Sequence, residues 1–127
     1  MTPRQIYEIP ITWTNNLSQP ILVSNFRDVG LTIVGTGSIS VLASKSAPIG
    51  GTDGSKVIDF TSPSTIDNSY ATVAIYDETV VSSNWVLALT VAGATKLAEV
   101  DINQLSWICL SRDSDGVDAS VTVCDNQ

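Results

Sequence analysis

The chain has 127 residues, the length of one domain with room for an adequate apolar core. Its 6 Lys and Arg against 13 Asp and Glu give a net charge of −7, which argues against nucleic acid, where cationic neutralisation of phosphates dominates binding, and against an anionic membrane surface. There is no histidine, which removes Ser-His-Asp and Cys-His nucleophile systems and His-containing zinc sites.

From the N-terminus, MTPRQIYEIP has no apolar stretch of signal-peptide length, and no apolar run anywhere approaches the roughly 20 residues of a membrane span. Pro3, Pro10 and Pro20 punctuate the first 20 residues, and TWTNNLSQ is polar around Trp13. Residues 1–20 are therefore expected to form an extended N-terminal arm and a first edge strand, with Ile6, Tyr7, Ile9 and Ile11 as candidate assembly contacts. Residues 21–127 are expected to form a single β domain.

Val, Ile and Thr then alternate with polar residues in short runs separated by Gly, Ser, Asn and Asp, which is strand texture. Residues 30–34 (GLTIV) lead through Gly35-Thr36-Gly37, read as a turn, into 38–44 (SISVLAS). There Ile39, Val41 and Ala43 share one face, and Ser38, Ser40, Leu42 and Ser44 the other. A Gly-rich loop, KSAPIGGTDGSK, precedes a short strand at 57–61 (VIDFT); Pro63 keeps the next segment out of any central strand. Further strands are expected at 71–76 (ATVAIY), with Val73 and Ile75 facing one way, at 86–92, and after a turn at Gly93 at 96–102. Residues 94–104 alternate better than they recur at helical spacing, so they too are read as strand. The pattern predicts an all-β, antiparallel β-sandwich, jelly-roll-like or immunoglobulin-like, of roughly eight strands.

The closing stretch, SWICLSRDSDGVDASVTVCDN, holds both cysteines and the acids Asp113, Asp115 and Asp118. The acids resemble the start of a calcium loop, but a strand pattern follows where a glutamate ligand is required. Asp115-Gly116 reads instead as a two-residue hairpin turn, with a three-residue bulged loop as the competing geometry. The two-residue turn would pair Leu110 with Val121, Ile108 with Val123, Cys109 with Thr122 and Cys124 with Trp107. Neither register brings the sulfurs together, so both cysteines are expected as free thiols.

Other candidates weigh less. The loop at 50–55 matches a phosphate-binding loop in glycine content alone, lacking the lysine after its second glycine. Trp107 reads as core or interface, whereas Trp85, at the mouth of a strand, is a candidate sugar-stacking platform, with Trp13 behind it. Among Glu8, Asp59, Asp67, Asp77, Glu78, Glu99 and Asp101, no spacing fixes a catalytic carboxylate pair. Asp77-Glu78, Arg27-Asp28 and Lys96 read as solvated surface charge. No catalytic residue, metal ligand or cofactor site is expected.

Three segments, LTIVGTGSISVLAS (31–44), NWVLALTVAG (84–93) and LSWICLSRDSDGVDASVTV (105–123), resemble small β-sandwich virion proteins of tailed bacteriophages. The resemblance spans residues 30–123, about three quarters of the chain. The chain departs from that pattern at Ser44-Lys45-Ser46, where a Ser-Asn-Asp run often follows the second strand. The resemblance implies a non-enzymatic virion protein made in the host cytoplasm, a capsid decoration or cement component ahead of a neck, tail or fibre part. It further implies a homo-oligomer, a trimer by preference, with the major capsid or neck and tail proteins as partners. The alternative is a carbohydrate-binding module or adhesin head.

Overall fold

The computed structural model describes residues 5–46, 57–62, 65–79 and 84–125. The Gly-rich loop with its phosphate-loop likeness, Pro3 and Pro63 lie outside them. The chain is all-β and antiparallel. Its strands are β1 (Ile6–Ile9), β2 (Trp13–Thr14), β3 (Leu17–Ser18), β4 (Ile21–Leu22), β5 (Phe26–Ser44), β6 (Ala71–Val73), β7 (Ile75–Asp77), β8 (Asn84–Val86), β9 (Leu89–Val100), β10 (Trp107–Arg112) and β11 (Val117–Asp125). Hydrogen bonding joins them into one sheet around β5, a strand of 19 residues.

None of three expected turns reverses the chain. Gly35-Thr36-Gly37 lies inside β5, and Gly93 lies inside β9. The pair Asp115-Gly116 does not reverse the chain either: β10 lies antiparallel to residues 39–44 of β5, and β11 continues in the same direction along residues 26–35. Leu110 therefore pairs with Val41, Val121 with Leu31, Cys109 with Leu42 and Cys124 with Asp28, and the hairpin register is replaced throughout. What the glycines mark is a crease running across the sheet at one level. Residues 113–116 stand opposite 36–38, and the β5–β9 register slips at Gly35, leaving Gly93 as the extra residue. An inserted residue bends its strand without ending the ladder. Thr36 N donates to Gly116 O (2.9 Å) and Asp113 N to Ser38 O (3.1 Å), so pairing carries on through the crease. Gly35 has φ +103°, and a Cβ there would run into the carbonyl oxygen of Gly116. Gly93, at φ +65°, sits in the left-handed region that a bulge of this kind favours.

The two-residue hairpin lies elsewhere. β2 and β3 pair Trp13 with Ser18 and Thr14 with Leu17, and Asn15 and Asn16 turn the chain at φ 51° and 64°. Asparagine tolerates this conformation, so Asn-Asn serves as a turn with positive φ at both positions.

Alternation along β5 buries Val29, Leu31 and Ile33 before the crease and Ile39, Val41 and Ala43 after it. Together with Ile75, Leu89, Val91, Ala98, Val100, Ile108, Leu110, Val117, Val121 and Val123 they form one continuous core. Val73 and Ile75 face it as expected, but the run 71–76 breaks into two strands: β6 pairs with β5, while β7 pairs with β9.

The opposite face of β5 differs between its halves. Beyond the crease, Ile58, Phe60, Trp107 and Cys109 form a second, smaller core, with Leu42 and Tyr70 packed against it. Residues 57–61 supply Ile58 and Phe60 but make no strand, because the Asp59 carboxylate accepts hydrogen bonds from Thr61 N (2.9 Å), Thr61 Oγ1 (2.6 Å) and Ser62 Oγ (2.7 Å) and curls the chain. Asn68 clasps the backbone of Asp59 from both sides, at 2.8 Å each way. Ser44 Oγ donates to Ser69 O (2.7 Å), tying this cover to the end of β5. Before the crease, the same face has no such cover among the described residues.

Candidate interaction surface

The open face is built by register. Along one row stand Trp85, Tyr76, Glu99, Gly30, Thr122 and Glu8; the next holds Leu97, Thr32 and Ser120; a third holds Thr95, Val34 and Asp118. Partnered residues of an antiparallel ladder share a face, so these side chains form one surface. Leu97 (49% exposed), Val34 (42%), Trp85 (56%) and Ile6 (72%) leave apolar area in water among threonines and glycine. No Lys or Arg stands on these three rows. Exposed apolar side chains interspersed with hydroxyl and carboxylate groups suit a protein-contact surface of mixed composition.

β1 extends this face as an edge strand on β11, pairing Ile6 with Cys124 and Ile9 with Val121. The four candidate arm residues separate into two pairs. Ile9 and Ile11 pack against the main core, while Ile6 and Tyr7 remain exposed. Tyr7 donates its hydroxyl hydrogen to Gln5 Oε1, and Ser120 Oγ donates to Glu8 Oε1 (3.0 Å), pinning the strand.

The tryptophans sort clearly. Trp13 is committed to structure: its Nε1 donates to Asp118 Oδ1 (3.0 Å), and the Arg112 guanidinium lies 4.3 Å from its ring centroid. Arg112 also donates to Asn16 Oδ1 (3.1 Å), locking the β2–β3 hairpin to the crease. These contacts hold the Asp118 carboxyl below its usual range, the Trp13 bond first and the Ala119 amide next. Trp107 is buried in the second core. Trp85 alone of the three is largely exposed, its ring set edge-on to Tyr76 at 5.2 Å between centroids.

Beside this aromatic pair opens a cleft of about 860 Å³, walled on its far side by residues 101–106 and floored by Val23, Phe26 and Val100. Asp28, Glu99 and Asp101 line it, and among the described residues Arg27 is the one cationic side chain on its walls. The Arg27 Nε lies 3.5 Å from Asp28 Oδ2, both side chains being well exposed. Burial, then repulsion from Glu78, Asp28 and Asp101, pushes the Glu99 carboxyl up. This cleft collects two of the carboxylates singled out in the sequence, Glu99 and Asp101.

The other carboxylates serve elsewhere. Asp77 is not solvated but 4% exposed, and its Oδ2 lies 3.1 Å from Lys96 Nζ. Alternation turns Asp77 inward opposite Ala98, two positions from Lys96 on the same side of β9. Burial works against its charge, but hydrogen bonds from Thr79 and Lys96 outweigh this and hold its carboxyl below the usual range. Asp59 is spent within its own turn, and Asp113 Oδ1 accepts from Ser38 N (3.0 Å). Asp67's side chain lies outside the described set. Among the described residues no group of three or more Cys, Asp or Glu side chains converges as a metal site. Both cysteines are free. Cys109 is buried, and burial pushes its thiol up, with Ser18 as its hydrogen-bond partner; Cys124 is half-buried at the edge of the open face.

Sequence reading missed the β2–β3 hairpin, for which Asn15-Asn16 was the signal. It also missed the cleft, whose walls come from segments far apart in the chain.

No protein-family profile matches the chain. No curated protein matches it either. Among solved structures it is similar to the SPBc2 prophage-derived protein YomS, with a TM-score of 0.64 and 13% identity, over 98% of this chain and 97% of that one. At that identity the likeness concerns the fold, which the two chains share from end to end.

Proposed function

We propose that the chain is a non-enzymatic structural protein of a phage particle, acting as a capsid decoration or cement component that binds neighbouring subunits. The observation that carries this reading is the end-to-end agreement of its fold with a prophage-derived protein. The open sheet face supports it: apolar, hydroxyl and carboxylate side chains, with no Lys or Arg on its three described rows, suit a protein neighbour better than nucleic acid. In this reading the copies form a trimer, and the segment around β1 is the strap to the next subunit, with Ile6 and Tyr7 as its free side chains.

Light scattering over a concentration series, followed by binding to empty capsids, tests the proposal. A stable closed oligomer that decorates shells is expected. A monomer at every concentration that ignores shells would sink it. Replacing the exposed Ile6 and Tyr7 with serine should leave a folded domain that no longer joins the particle, and normal incorporation would rule the strap out.

The second reading, a carbohydrate-binding module or adhesin head, draws on one observation, the exposed Trp85 braced by Tyr76. Quenching of tryptophan fluorescence by simple glycosides would favour it.

A further inference from the structure

The cleft beside β8 combines features that select among ligands. One wall is an aromatic pair, Tyr76 and Trp85 in a T-shaped contact, with Trp85 56% exposed and so accessible to a planar or cationic group. Three carboxylates, Asp28, Glu99 and Asp101, line the same cleft, with Arg27 lying against Asp28 and so already engaged. Phe26 and Ile102, both half-buried, give the lining apolar area where the stem of a long side chain can rest.

We propose that this cleft receives an arginine or lysine side chain from a partner protein, its cationic head over Trp85 and within reach of Glu99 and Asp101. The inference deepens the assembly reading and rests on it for the identity of the partner as a neighbouring subunit; the recognition chemistry stands on the cleft alone. Charge complementarity separates this occupant from a sugar. A neutral ring would stack on Trp85 and leave Glu99 and Asp101 without a counter-charge, whereas a cation supplies one on an aromatic face. Glu99 sits in a setting that a cation would relieve: burial first, and then Glu78, Asp28 and Asp101, push its carboxyl up. Arginine suits the site better than lysine, because its planar guanidinium both stacks and offers a fork of donors to carboxylates.

The test uses the full chain, isotope-labelled, titrated with an N-acetylated, C-amidated Gly-Arg-Gly-Arg-Gly peptide and with the same peptide carrying neutral citrulline for arginine. Saturable shifts at the Trp85 indole and at the amides of Tyr76, Glu99 and Asp101 are expected for the arginine peptide alone. Binding should weaken about tenfold in Trp85→Leu, by a similar factor in Glu99→Gln, and again between roughly 50 and 500 mM salt. Both side chains are exposed, so unchanged melting temperatures would show that the variants remain folded. Equal binding of the citrulline peptide, shifts located elsewhere, or none at ~10 mM peptide would overturn the proposal. Saturable shifts at Trp85 from methyl glycosides, with none from the arginine peptide, would overturn it in favour of a sugar cleft. Particle incorporation is read separately: a chain that joins shells but ignores the peptide loses the cleft alone. One that binds the peptide but never joins shells loses the phage role and keeps the cleft.

Discussion

The two halves of the sheet, on either side of the crease, carry similar polar alternation on the face turned away from the main core, yet they use it differently. In the half containing residues 39–44, Leu42 and the Ser44 hydroxyl lie under a cover made by residues 57–61 and 66–70. In the half containing residues 26–35, Thr32 and Val34 look out from a face that no described segment covers. Alternation marks which side chains leave the main core. It carries no information on whether something else lies on top of them.

Substitutions should break that contrast in a graded way. Gly35→Ala strikes the crease itself, adding left-handed strain and a clash with Gly116 O, and should cost about 4 kcal/mol in urea unfolding. Phe60→Ala empties the cover of the closed half and should cost about 3 to 4 kcal/mol, with the midpoint moving but not the slope. On the open half, Leu97→Ser should change stability by less than about 0.5 kcal/mol while weakening any self-association seen by light scattering. A loss of several kcal/mol there would mean that the face is not free.

Between these lies the Asp77–Lys96 pair, at the flank of the open half. Asp77→Asn should cost about 2 kcal/mol near neutral pH, since it leaves a partly buried ammonium without its counter-charge. Because the folded carboxyl titrates below its unfolded value, the pair's stabilisation is in full force above the ordinary Asp range and is lost as pH falls through the depressed folded value. Wild type and Asp77→Asn should therefore converge in melting temperature on acidification. A constant gap down to the lowest pH would assign the effect to packing instead. The smallest effect is chemical: a thiol reagent should modify Cys124 in the folded protein and reach Cys109 only on unfolding.

Much of the fold was legible in the sequence. The β-branched alternation of Ile39, Val41 and Ala43, and the pairing of Val73 with Ile75 on one face, marked core positions correctly, because period-two patterning follows directly from strand geometry. The buried Asp77 was not legible, since a carboxylate at a strand end looks the same whether or not a lysine two places along the partner strand turns toward it. The aromatic wall of the cleft was half visible, with Trp85 standing out by position, but its acidic lining required β5, β7 and β9 to be adjacent.

By itself, then, the sequence determined an antiparallel all-β chain, the residues that face its core and the absence of histidine chemistry. The tertiary structure decided what the glycines mean. Gly35 and Gly93 satisfy the local chemistry of a hairpin turn and of a bulge equally well, because both call for backbone that other residues resist. Whether such a residue reverses the chain or merely bends it depends on the hydrogen bonds offered by the strands alongside. Here β5 offered partners on both edges past the crease, so the chain bent and went on.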